Sequence, residues 1–172
     1  MKQLLTKRFG LSLLYLLTIH VAALLFFFIF RFILFISTEY QFPDNIQNDI
    51  ALQAVAFIRG VWFDNVIACY ILILPLVVLW IAGIFNYTAK WLFKSTAIYF
   101  ICFYSLSFII AAANIPYFGY FFKTINSSIY NWFGYGATTA GMVFGETSFY
   151  LPIFLGIASI LLFGWGVLTL SS

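Results

Sequence analysis

Apolar residues in this chain run in four long blocks. The first covers residues 11–36 and is interrupted only by His20 and Arg31. The second covers 66–85 with Pro75 in its middle, the third 93–113 and the fourth 149–170. A helix needs roughly 20 consecutive apolar residues to cross the hydrocarbon core of a bilayer. The blocks therefore predict four membrane-spanning helices, with Pro75 as a kink whose freed backbone groups neighbouring helices satisfy. Lys2, Lys7 and Arg8 precede the first block, as in a secretory signal. A signal's apolar core is only about 7–15 residues, and no small-residue cleavage site follows. The block is read as an uncleaved anchor.

Two segments are too polar to span and too apolar for plain loops. In residues 48–62, Ala51, Ala54, Phe57, Ile58 and Val61 recur at helical spacing, which predicts an amphipathic helix lying in the membrane interface. Residues 115–145 mix Tyr117, Phe118, Tyr120, Tyr130, Trp132 and Tyr135 with Lys123, Asn126 and Asn131. Tyrosine and tryptophan favour the headgroup level, so this stretch is expected to line one membrane face. Gly134, Gly136, Gly141 and Gly145 argue against one continuous helix there. With no internal repeat or Pro-rich linker, residues 1–172 read as one polytopic domain. The expected fold class is an all-α membrane protein with about four transmembrane helices and one or two interfacial amphipathic helices.

Composition agrees. Only 8% of residues are charged and 65% are hydrophobic, whereas a soluble domain uses about a quarter of its residues as charges. The few charges set an orientation. Lys2, Lys7 and Arg8 precede the first block, and Lys90 and Lys94 flank the start of the third. The intervening segments hold Glu39, Asp44, Asp49, Lys123 and Glu146. The positive-inside rule puts the five bases, and with them both chain ends, on the cytoplasmic side of an inner membrane. The ending Leu168-Thr169-Leu170-Ser171-Ser172 carries no basic stop and is expected to be a cut in a longer protein.

Few residues can carry chemistry. Arg59-Gly60-Val61-Trp62-Phe63-Asp64 joins the expected interfacial helix to the second span. Charges at membrane depth are functional candidates by default. Arg59 is either a clamp for a lipid phosphate or half of an Arg59–Asp64 pair that fixes the turn into the membrane. Arg31 either snorkels to the interface or shares that phosphate with Arg59. His20 is either a proton relay or a hydrogen-bonded packing residue. Ala137, Gly141 and Gly145 form a small-residue face. Cys69 and Cys102 sit in apolar runs and match no metal-ligand spacing. Nothing resembles a nucleic-acid groove, a Ser/His/Asp arrangement, a phosphate loop or a two-metal site.

The run Arg59-Gly60-Val61-Trp62-Phe63-Asp64, followed by Tyr70-Ile71-Leu72-Ile73-Leu74-Pro75, resembles the N-terminal membrane region of bacterial lipoteichoic-acid-synthase-like proteins, within the sulfatase and alkaline phosphatase superfamily. Asn114-Ile115-Pro116-Tyr117-Phe118-Gly119-Tyr120-Phe121-Phe122-Lys123 is similar to that family's pattern of an acid, then Tyr-Phe, then a base. Asn114 replaces the acid, and Lys123 stands where arginine is commoner. The stretch from Ile125 to Trp132 follows the same pattern, so the similarity covers residues 31–132. The resemblance implies five membrane helices and a large extracytoplasmic domain with a threonine nucleophile and a divalent metal, manganese or zinc. It acts on phosphate or sulfate esters of lipids or glycans. This chain is then the membrane anchor that presents the lipid, without the nucleophile or the metal. Arg31, Arg59, Asp64, Tyr117 and Lys123 are the headgroup-binding candidates and an anionic phospholipid the expected partner. The alternatives are a small transporter or channel subunit and a non-catalytic membrane scaffold.

Overall fold

A computed structural model describes residues 2–85, 87, 90–126, 141, 143 and 145–171, with side chains described from Gly10 onward. The expected all-α architecture is present. Helix α1 spans Lys2–Thr38, the single-turn α2 Asp44–Gln47, α3 Ile50–Ile84, α4 Lys90–Phe121 and α5 Tyr150–Ser171. Four of these, α1, α3, α4 and α5, are long and apolar enough to cross a membrane. They follow one another up and down, so α1 ends beside the start of α3. α3 ends and α4 begins at one end of the bundle. α1 and α4 end, and α3 and α5 begin, at the other, the long-linker end.

Two boundaries differ from those expected, for physical reasons. Residues 50–62 are helical, but they continue unbroken into the second span as one 35-residue helix. Gly60 costs a helix interior only about 1 kcal/mol, and no proline separates the segments. At 1.5 Å per residue α3 is about 52 Å long, well beyond a hydrocarbon core of roughly 30 Å. Its start is capped by the Asp49 carboxylate, which accepts from Leu52 N at 2.9 Å. The third span likewise runs past residue 113 to Phe121, through the buried Pro116. Pro75 lies inside α3 and is also buried. Of the aromatic stretch assigned to a membrane face, residues 115–121 belong to α4. Tyr130, Trp132, Tyr135, Gly134, Gly136, Asn131 and Ala137 lie outside the described residues.

The core is aromatic. Phe100, Tyr104 and Phe108 recur every four residues along α4, so one face presents a ladder of rings. Phe27 of α1 meets Phe108 edge-on at 5.4 Å, and Phe163 of α5 meets it at 5.3 Å. Edge-to-face pairs each contribute about 0.5–1.5 kcal/mol beyond area burial. α4 and α5 pack most extensively, then α1 with α3 and α1 with α4. Gly156 permits the first approach: a Cβ there would stand 3.3 Å from Ala112 Cβ. α3 and α4 touch far less. That gap positions the site.

Candidate functional site

Three helices meet around Arg31. Its guanidinium reaches across from α1 to α3, where Nε donates to Asp64 Oδ2 and Nη2 to Asp64 Oδ1, both at 2.7 Å. The arrangement is bidentate and side-on, the strongest geometry an arginine–carboxylate pair adopts. Gly60 lies one turn before Asp64 on the same face of α3, because residues four apart stack along a helix. A Cβ on Gly60 would overlap the Arg31 guanidinium. The glycine is therefore the seat of the arginine. A planar cation rests against bare backbone while the carboxylate one turn away holds its edge.

The expected Arg59–Asp64 pair does not form. The two residues are five apart on a continuous helix, and at about 100° per residue they point roughly 140° apart. Arg59 is exposed, and no partner for it is seen among the described residues. The pair that does form spans 33 positions, with side-chain exposures of 27% for Arg31 and 13% for Asp64. Arg31 is thus neither a lone snorkelling anchor nor visibly joined to Arg59.

A second polar clasp joins the same two helices. His20 Nε2 donates to Asn65 Oδ1 at 3.1 Å, and Cys69 Sγ points at the same oxygen from 3.9 Å. His20 and Arg31 are eleven residues apart, close to three full helical turns, so α1 presents both to α3. Asn65 partners one ring nitrogen of the histidine, while Nδ1 is buried with no hydrogen-bond partner among the described residues.

The Arg31–Asp64 pair lies in a cleft of ≈ 550 Å³ between α3 and α4, with α1 as its floor. That volume is in the range of small-ligand sites. α1 supplies Phe27, Phe30, Arg31 and Leu34, and α4 supplies Ser107, Ile110, Ala111 and Asn114. Both sets recur at i, i+3, i+4 and i+7, one stripe of a helix. The rim at the long-linker end is closed by the chain after α4. Phe122 adopts a left-handed conformation with φ 52°, unusual for a bulky residue. Its N–H donates to Phe118 O at 2.8 Å as the helix ends. The chain then turns back, and Ile125 N–H donates to Asn114 Oδ1 at 2.9 Å. This places Thr124 and Ile125 in the cleft wall.

Of the five expected site residues, Arg31 and Asp64 come together. Arg59, Tyr117 and Lys123 do not line the cleft. Lys123 is exposed on the turn after α4, and the half-buried Tyr117 ring packs 4.8 Å from Phe121. Asn114 does line the site, as the acceptor that closes its rim. Ser107 and Thr124 were missed. The seven-residue interval from Ser107 to Asn114 is the signal that pairs two polar groups on one helix face. Beyond the cleft, Tyr120 Oη donates to the Glu146 carboxylate and ties the long-linker ends of α4 and α5. Among the described residues no group of three or more His, Cys, Asp or Glu side chains converges as a metal site.

The chemistry available is recognition. A guanidinium has five N–H donors, and the Asp64 pair uses only those of Nε and one of Nη2. The rest can meet an anionic or ester oxygen, with the Thr124 hydroxyl and the Asn114 amide along the same cleft. No protein-family profile matches the chain, and no curated protein or solved structure matches it.

Proposed function

We propose that this chain is the membrane anchor and lipid-presenting domain of an extracytoplasmic phosphotransferase or sulfatase-like hydrolase of the bacterial cell envelope. The nucleophile and a manganese or zinc ion belong to a portion of the protein outside this chain. The observation that carries the reading is the partly open guanidinium of Arg31, seated on Gly60 in a cleft at the long-linker end. The charge pattern of the sequence puts that end outside the cytoplasm. A lipid phosphate there takes the donors that Asp64 leaves unused. The headgroup is held at the membrane surface for the catalytic portion to reach.

Orientation is tested by cysteine labelling of intact cells, after Cys69 and Cys102 are replaced. A cysteine at Asn45 should label with an impermeant reagent, and one at Tyr87 should be protected. The reverse pattern places the cleft in the cytoplasm and sinks the proposal. The lipid site is tested by native mass spectrometry of the purified chain with phosphatidylglycerol. Arg31→Lys keeps the charge beside Asp64 but loses the fork, and should cut lipid retention by about tenfold, near 1.4 kcal/mol. The double substitution Arg31→Met with Asp64→Leu should abolish headgroup-dependent retention in a folded protein. Unchanged retention in both variants removes the headgroup from Arg31.

A further inference from the structure

Resting on the proposed headgroup site, we infer that the lipid reaches Arg31 sideways from the outer leaflet and lays one acyl chain in the groove between α3 and α4. The groove has a polar and an apolar end. Asn114 and Thr124 mark the long-linker end, and the Arg31–Asp64 pair lies in its floor. Seven residues deeper along α4, about 10 Å, Ser107 stands opposite an apolar wall that includes Phe27 and Ile67. Ser107 itself donates back to Phe103 O at 2.9 Å, so its hydroxyl is satisfied within α4 and presents little polarity to an occupant.

The sides of the groove are open. Phe63 and Ile67 on α3 and Ile110 on α4 line it and are all exposed. Their exposure faces where lipid tails would be, and these two helices make few contacts with each other. A water-soluble phosphate gains nothing from such a wall. An amphiphile matches both halves, with phosphate at the guanidinium and an acyl chain along the deep apolar stripe. Tails are as apolar as the wall, so the chain is held by packing rather than by the hydrophobic effect. The groove therefore sets the position and depth of the lipid, while the charge sets the headgroup.

The test uses the full chain in nanodiscs with phosphatidylglycerol carrying a photoreactive diazirine in one acyl chain. Adducts should concentrate on Phe63, Ile67, Ser107 and Ile110 over the exposed Leu161 and Leu162 of α5. Ser107→Phe fills the deep groove without breaking an interhelical bond, and should lower groove adducts by about tenfold. Ile110→Trp, at the exposed rim, is the second block and should act the same way if Ser107→Phe fails to fold. Adducts no denser in the groove than on α5, or unchanged by a folded blocking variant, overturn the acyl-chain placement. The two readings fail separately. Groove adducts that persist while lipid retention ignores Arg31→Lys overturn the headgroup site and leave the chain placement standing. Background groove adducts with a normal Arg31→Lys loss of lipid retention do the opposite.

Discussion

Replacing Arg31 by alanine should cost the folded domain about 3 kcal/mol, at the lower end of what breaking a buried ion pair costs. The substitution leaves the Asp64 carboxylate, only 13% exposed, without its bidentate partner. Partial solvent access to Arg31, 27% exposed, keeps the figure low. Asp64→Ala should cost less. The long arginine side chain can turn its head toward the interface, whereas the short carboxylate on α3 cannot follow. The double variant Arg31→Met with Asp64→Leu should fall within about 1 kcal/mol of the parent, since apolar residues of similar volume often replace such a pair without loss. A double-mutant cycle in detergent, read by denaturant unfolding, measures all three. Single variants indistinguishable from the parent would mean the pair is idle. Gly60→Ala adds a sharper probe. Alanine gains roughly 1 kcal/mol of helix propensity over glycine, yet its Cβ takes the place of the guanidinium. Stability should fall by about 2 kcal/mol, the propensity gain offsetting only part of the loss of the side-on pair.

The second large effect lies in the aromatic core. Phe108 is fully buried, at 0% exposure, with Phe26, Phe27, Phe30 and Phe163 rings within 6 Å of its own. Phe108→Ala should destabilise the bundle by about 2–3 kcal/mol, below the 3–5 typical of soluble cores. The reduction has a cause. In a membrane the unfolded helix keeps its side chains in lipid, so the transfer term vanishes and the cavity and lost dispersion remain. Phe103, five residues earlier on the same helix and 46% exposed, is the control. Phe103→Ala should change stability by less than about 0.5 kcal/mol. Equal losses at the two positions would mean that helix α4 faces its neighbours differently.

Much of this was legible in the sequence. Block length and charge scarcity determined four spanning helices, because a bilayer leaves a backbone few ways to satisfy its hydrogen bonds. The sequence also marked residues 59–64 as the point of interest, since charges at membrane depth are too costly to be incidental. It could not say which charge pairs with Asp64. Arg59 is near in sequence, and its pairing required a break between an interfacial helix and a span. Once residues 50–84 form a single helix, helical geometry turns Arg59 away and leaves Gly60 and Asp64 on one face. The partner then comes from 33 positions upstream, on another helix. Only packing could decide that, because the register of α1 against α3 depends on how His20, Arg31 and the rings between them fit the facing surface. The cleft is tertiary for the same reason. Each helix contributes a stripe that alone reads as an ordinary apolar face, and the groove exists because α3 and α4 stand apart while both lean on α1.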